Sequence, residues 1–417
     1  MRPLQPALPA PPAPALTGAF HVLIRAQFCS ALADNALLIV CVALLLDQGA
    51  PGWWAPLLKF TFTVAYVVLA PFVGAWADAV RKGRMMMAMN LVKVLGLVLL
   101  LSGCGPLWAM AVVGVGAAAY APAKYGLVTE LVPARGLVAA NGWIEVTTVC
   151  AVVLGTVLGG FLISPWVRAA GVQLLPDAPP LTLSLVSLLL LYGTAAALNL
   201  GIPDSGARYP GNLLGLTPML SDFADAQKRL WADPAGALSM AVTTLFWGAA
   251  AVLQFAVLRW GVDVLQLGLD QAAYLQGAVA VGIVIGAALA ARFVSLAQAA
   301  RVLPLGVLMG LAVPLAAQLS TAVPAVLAMA LVGALGGALV VPLNALLQHR
   351  GHVLLTAGRS IAVQNFNENA SILVMLGSYA ALLAWGLEVR TVMVGLGAVV
   401  GVSVAALWWR GRRLGLT

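Results

Sequence analysis

The sequence predicts an all-α polytopic membrane protein with about twelve transmembrane helices in two six-helix halves. Three observations predict it. Hydrophobic residues make up 62% of the 417 residues and charged residues 9%, against roughly 45–50% and about 25% in soluble domains. The apolar residues gather into segments long enough to cross a bilayer's hydrocarbon core. The basic residues fall on alternate connecting loops. This composition excludes a soluble globular enzyme, a disordered chain and a disulfide scaffold, because too little polar surface remains to cover so large an apolar core. A transmembrane β-barrel is excluded as well, since its strands alternate apolar and polar and give no long apolar runs.

In chain order, residues 1–18 form a tail with Pro3, Pro6, Pro9, Pro11, Pro12 and Pro14, read as disordered and cytosolic. No apolar stretch with a cleavage site precedes Thr17, so no signal peptide is expected. The N-terminal half, 19–200, contains spans near 19–46, 54–76, 85–104, 106–128, 137–164 and 181–200. A linker follows at 201–233. The C-terminal half, 234–409, contains spans near 235–258, 267–291, 302–319, 322–347, 360–386 and 389–409. Residues 410–417 form a basic tail with Arg410, Arg412 and Arg413. Within the linker, the run Ser221 to Trp231 reads either as an amphipathic helix on the inner membrane face or as a solvated connector.

Loop charge sets the orientation. With the N-terminus inside, inner loops collect Arg81, Lys82, Arg84, Arg135, Arg208, Lys228, Arg229, Arg292, Arg301, Arg350 and Arg359. The outer side keeps Arg168, Arg259 and Arg390. Both termini are therefore expected in the cytosol. The net charge of +8, from 22 basic and 14 acidic residues, is loop charge of this kind. No basic patch interleaves with exposed aromatics, so nucleic acid is not an expected partner. Cys29, Cys41, Cys104 and Cys150 lie in apolar stretches and read as small buried hydrophobes. HExxH, CxxC and Walker patterns do not occur, so neither metal nor cofactor is expected.

The halves repeat one another. Gly116 precedes Pro122 by six residues in the fourth span, as Gly336 precedes Pro342 in the tenth. Downstream, Asn141 lies one helical turn before Glu145, and Gln364 one turn before Glu368. A duplicated six-helix unit places a substrate site near the bilayer midplane between the halves, with alternating access by rocking.

Charges inside spans mark that site, because a charged side chain at the bilayer centre costs roughly 2.5–3.5 kcal/mol on insertion scales. Asp34 and Asn35 sit mid-span between small residues. Lys124 follows Tyr120 and the helix-bending Pro122. Glu145 and Glu368 enter their spans from the inner side, the latter among Asn365, Asn367 and Asn369. Lys59 and Lys93 lie nearer snorkelling distance, and Arg25 lies one to two turns inside the first span. In the loop between the second and third spans, Gly74 permits close helix packing. Asp78 can cap or pair across the inner mouth, and Arg84 can reach an acid on another helix, as a latch for one access state.

The same residues carry a family resemblance. Gly74-xxx-Asp78 followed by Arg81-Lys82-Gly83-Arg84 resembles the loop signature of the major facilitator superfamily, with Ala79 where a basic residue is usual. More specifically, the chain is similar to the bacterial lysophospholipid transporter family. The segments that carry this are Ala33-Asp34-Asn35-Ala36-Leu37-Leu38, Ala70-Pro71-Phe72-Val73-Gly74, Gly114 to Gly126 with Tyr120, Pro122 and Lys124, and Asn141-Gly142 with Glu145. Phe246-Trp247-Gly248 fits the seventh span. The resemblance implies the major facilitator fold. It implies transport of lysophospholipids, notably lysophosphatidylethanolamine, from the outer to the inner leaflet of a Gram-negative inner membrane. It also implies an acyltransferase/acyl-carrier-protein synthetase as the cytosolic partner that reacylates them. By the same resemblance Asp34, Lys124 and Arg84 match positions of functional interest. The family's basic residue after Phe-Trp-Gly falls nearest Gln254 here, with Arg259 close by.

The expected substrate-binding residues are thus Asp34, Asn35, Tyr120, Lys124, Asn141, Glu145, Gln254, Asn365 and Glu368; the expected latch is Gly74, Asp78, Arg81 and Arg84. Lys124 facing Asp34 or Glu145 matches the phosphate and ammonium of the head group, while the acyl chain stays in the bilayer. A net-neutral zwitterion also costs little electrical work to move. The alternative is a proton-coupled exporter of drugs or small metabolites, with Asp34, Glu145 and Glu368 as the proton path. An acyltransferase is not expected of this chain itself, because His21, His349 and His352 form no His-xxxx-Asp arrangement.

Overall fold

A computed structural model describes residues 18–50, 54–207, 216–267 and 269–416. The proline-rich tail expected over residues 1–17 lies outside these, as do Arg208 and Pro210 of the linker. All regular structure among the described residues is helical. The first group is α1 (Gly18–Asp47), α2 (Trp54–Ala79), α3 (Lys82–Leu101), α4 (Pro106–Leu131), α5 (Leu137–Leu162), α6 (Pro165–Leu174) and α7 (Thr182–Leu200). A connecting helix, α8 (Leu216–Ala232), precedes α9 (Pro234–Asp263), α10 (Leu269–Phe293), α11 (Leu303–Ala317), α12 (Ala322–Leu354), α13 (Ala357–Ala384) and α14 (Val389–Arg413). Six long helices thus stand on either side of α8.

Eleven of these helices are long and apolar enough to cross a membrane, α11 together with the 3-10 turn before it. The exception is α13. Its 28 residues suffice for a crossing, but Gln364, Asn365, Asn367, Glu368 and Asn369 interrupt its apolar run. It is shielded by packing against α2, α4 and α9. The expected span 137–164 ends earlier, at Leu162, because Ser164 caps a separate short helix whose first residue is Pro165. That serine–proline pair is a helix-start signal.

Small residues set the packing of long helices. A Cβ at Gly282 or Gly286 on α10 would strike the backbone of Ala330 and Ala334 on α12, and one at Gly333 would strike Val279. Such small-residue seams let apolar helices touch where no hydrophobic force drives them together in lipid. Pro122 inside α4 and Pro342 inside α12 occupy matching places in the two groups.

The connector is helical and packs one face against the bundle. Ala226 and Leu230 of α8 are buried against Met240, Leu347 and Val363. Phe223 stacks edge-on to Phe366 at 5.4 Å, and Asp222 pairs with Arg359 at 2.9 Å. Part of its apolar face is therefore packed against protein, while Leu220 and Trp231 stay exposed. At the following corner Asp233 caps α9 through Gly236 N at 2.8 Å and receives Arg350 at 3.0 and 2.5 Å. The guanidinium holds the Asp233 carboxyl below the usual carboxylate range. Its contribution is present at neutral pH and is lost as pH falls through that lowered value.

Candidate functional site

In the N-terminal group an ion pair sits deep between α1 and α3. Lys93 Nζ donates to both Asp34 oxygens, at 2.9 and 2.7 Å. Tyr192 on α7 donates to Asp34 Oδ1 at 2.7 Å. The ammonium also donates to Ser30 Oγ at 3.0 Å, and Ser30 donates to Asn90 Oδ1 at 2.7 Å. The rings of Tyr120 and Tyr192 lie 5.4 and 5.7 Å from it. Lys93 is 1% exposed, so the snorkelling expected of it is corrected: the residue faces inward because Asp34 is there to neutralise it. Removing one partner of a buried pair leaves an uncompensated charge, at about 3–5 kcal/mol. Lys93→Met is therefore expected to lower the melting temperature of the purified protein strongly. Lys93→Met combined with Asp34→Asn should restore much of it; a double variant no more stable than the single one would refute the pairing.

Lys124, on α4, is arranged differently. It is half-buried and donates to Gln27 Oε1 at 3.4 Å, while its ammonium lies 4.2 Å from the Tyr125 ring centre. Gln27 is held in turn by donating to Thr147 at 2.8 Å. None of these partners carries a full negative charge. Glu145 on α5 is within electrostatic range of Lys124 but makes no ion pair with it among the described residues. Glu145 and Glu368 are 7% and 8% exposed and lie within range of each other. Glu368 accepts from Gln364 Nε2 at 2.9 Å, and the same amide donates to Asn344 Oδ1 at 3.0 Å. A cation from one helix group and a carboxylate from each thus converge without neutralising one another directly. A ligand bearing both signs of charge fits that arrangement.

The end of the bundle that bears Lys82, Arg135, Arg350, Arg359 and Arg410 is closed. Asp78, at the end of α2, accepts from Gly358 N at 2.8 Å and Arg359 N at 3.2 Å, and from the Thr356 hydroxyl. A carboxylate here meets the free N–H groups of the α13 N-terminus, where the helix dipole favours it. Gly74 lets the helices touch, for a Cβ there would come within 2.8 Å of Ala362. Deeper in, Asn141 on α5 and Gln348 on α12 exchange two amide hydrogen bonds of 2.9 Å. Among the described residues, every side-chain hydrogen bond between the two groups of six lies at this end.

The other expected residues divide. Tyr120 donates to Asn199 Oδ1 at 3.5 Å beside the ion pair. Asn35 bonds back to Ala31 O at 2.8 Å and packs against Gly155 of α5, a helix contact rather than a lining position. Asn365 is buried within the α13 cluster, whereas Asn367 turns away to Gln227 of α8. Gln254 is exposed, and Gln276 donates to its backbone oxygen. Arg259 is paired with Asp263 at 3.0 Å. Arg81 reaches Ile202 O at 3.1 Å, within its own group. Arg84 is exposed and finds no acid among the described residues; Lys82 takes that part, 2.6 Å from Glu130. Sequence reasoning missed Lys82, Lys93, Tyr192 and Gln348. Only their placement in otherwise apolar helices hinted at them.

Comparison with known proteins decides the family. The Major Facilitator Superfamily profile matches residues 23–374. The chain is 42% identical over 394 residues to a protein named lysophospholipid transporter LplT in Klebsiella pneumoniae, covering 94% of this chain and 95% of that one. An Escherichia coli protein of the same name is similar to the same extent. The chain belongs to the LplT family of the major facilitator superfamily. Solved structures agree on the fold of this LplT-family chain. The human organic anion transporter MFSD10 superposes with a TM-score of 0.73 at 15% identity, covering 95% of this chain and 99% of that one. A bacterial ferroportin homologue in an outward-facing state gives 0.71, also at 15% identity, covering 95% of this chain and 100% of that one. The LplT-family chain is thus a multi-pass membrane protein, and its closed end and its interior charges are parts of a transporter fold.

Proposed function

We propose that the protein is a transporter, not an enzyme, and that it carries lysophospholipids, chiefly lysophosphatidylethanolamine, from the outer to the inner leaflet of a bacterial inner membrane. The name shared by its 42%-identical relatives supports the lipid class. The observation that carries the mechanism is Lys124, an interior cation without a hydrogen-bonded carboxylate partner, set within electrostatic range of Glu145, which in turn lies within range of Glu368. In this reading Lys124 takes the phosphate and one of the two acids takes the ammonium. The acyl chain remains in the bilayer. The basic end and both termini face the cytosol, by the excess of arginine and lysine there. The structure is then the state closed to the cytosol, held by Asp78 and the Asn141–Gln348 pair. An acyltransferase/acyl-carrier-protein synthetase on the cytosolic face would consume what is delivered.

Purified protein in proteoliposomes, with labelled lysophosphatidylethanolamine added to one leaflet, tests this. Protein-dependent transfer is expected with or without a proton gradient. The proximity of Glu145 and Glu368 favours a second reading, a proton-coupled exporter of drugs or small metabolites. Transport of such a solute that collapses with protonophore, with no lysolipid transfer, would select that reading instead.

A further inference from the structure

A second amphipathic site lies at the basic end, away from the interior charges. The start of α9, the preceding Trp231 and the C-terminal end of α14 enclose a groove of about 110 Å³. Its floor is apolar, formed chiefly by Leu238, Ala241, Leu407 and Leu414, and the charged side chain lining it is Arg410. Both long helices cross the membrane and end here, so the groove falls at the boundary between hydrocarbon and water. Trp231 and Trp409 are 41% and 57% exposed beside it, as interfacial tryptophans are.

Arg410 is exposed and forms no ion pair among the described residues. The acids nearby in sequence are engaged: Asp225 pairs with Lys228 at 3.7 Å, and Asp233 is bound by Arg350 and the α9 N-terminus. One turn beyond Arg410, the Arg413 guanidinium lies 3.4 Å from the Trp409 ring centre, which holds it at the same end of α14. The groove therefore offers the Arg410 guanidinium above an apolar floor with no carboxylate lining it, and Arg413 follows one turn further along α14.

We propose that this groove binds an anionic phospholipid of the surrounding leaflet. The phosphodiester accepts paired N–H donors from Arg410, with the positive charge of Arg413 one turn further along α14 adding to its attraction, and the glycerol and upper acyl chain lie on the leucine floor. A zwitterionic lipid gains less, because its ammonium finds no acid in the lining. A free phosphate lacks the apolar part that the floor receives. The bound lipid ties the α8–α9 corner to α14 within one half, and so stiffens that half as a rocking unit.

The test is thermal unfolding of the full chain in mild detergent. Phosphatidylglycerol, phosphatidylethanolamine or inorganic phosphate is titrated in turn. Phosphatidylglycerol is expected to raise the melting temperature well above the other two. In Arg410→Ala/Arg413→Ala its apparent affinity should fall about tenfold or more. Leu238→Trp, which fills the floor and keeps both charges, should weaken the lipid effect as well. Lipid-free melting of each variant serves as the folding control. Equal responses to phosphatidylglycerol in wild type and the double-arginine variant would overturn the proposal. So would a phosphate or phosphatidylethanolamine response equal to that of phosphatidylglycerol.

Discussion

Lys124→Ala is expected to reduce lysophosphatidylethanolamine transfer to near background in a protein that still inserts and melts normally. The reasoning rests on what Lys124 lacks. Its contacts are the Gln27 carbonyl oxygen at 3.4 Å and the Tyr125 ring, so deleting its ammonium strands no carboxylate partner and little stability is lost. The phosphate, by contrast, loses its counter-charge within the bundle. A hydrogen bond to a charged group is worth about 1.5–3 kcal/mol, or roughly a 10- to 100-fold drop in initial rate at limiting substrate. Lys124→Arg keeps the charge and should retain part of the rate. Initial rates in proteoliposomes, normalised to inserted protein, measure this. A Lys124→Ala protein transporting at the wild-type rate would remove the residue from the head-group site. The contrast with Lys93 sharpens the point. Both are interior lysines, yet Lys93 already holds Asp34 and Lys124 holds no acid, so the first variant fails in stability and the second in transport.

This contrast also marks how far the sequence could be read. A lone acid such as Asp34 or Glu368 in an apolar run is visible in one dimension, because its insertion cost is local. The long apolar helices, the repeat of Pro122 in Pro342 and the position of Asp78 at the end of the second span are visible for similar reasons, since each depends on composition or short spacing. Pairing is not. Lys93 meets Asp34 across 59 residues, and Asn141 meets Gln348 across 207. Which face of a helix a residue occupies depends on its tilt and neighbours, so Lys93 reads as a snorkelling residue until α1 is placed beside it. Arg84 and Lys82 show the same limit at closer range. They are two residues apart at the start of α3, and helical rotation alone sends Lys82 inward to Glu130 and Arg84 outward. Likewise the apolar face of α8 announces a surface to be covered, but only tertiary packing shows that Met240, Leu347 and Val363 cover Ala226 and Leu230.

Asp78→Asn is expected to open the basic end. One carboxylate there receives two backbone N–H groups of α13 and the Thr356 hydroxyl, and these bonds join the two groups of six. An amide is neutral, accepts through one oxygen and gains nothing from the helix dipole. The loss is about 2 kcal/mol or more on the closed state alone, a shift of about 30-fold in the balance of closed and open forms. The Asn141–Gln348 pair lies deeper on the same side and cannot hold the end shut by itself, because its two neutral bonds exchange readily for water. A cysteine at position 141, 4% exposed as asparagine, reports the change in a background without the four native cysteines. Its maleimide labelling should be slow with Asp78 intact and about tenfold or more faster in Asp78→Asn. Both proteins carry the same cysteine, so disruption of the amide pair cancels in the comparison. Substrate transfer should slow as well, since a carrier biased to one side completes fewer cycles. Unchanged labelling in a folded Asp78→Asn protein would show that the α2–α13 contact is packing rather than latch. The close approach of Gly74 to Ala362 would then be what holds the halves together, and Gly74→Val, which forces that contact apart, would be the variant that opens this end.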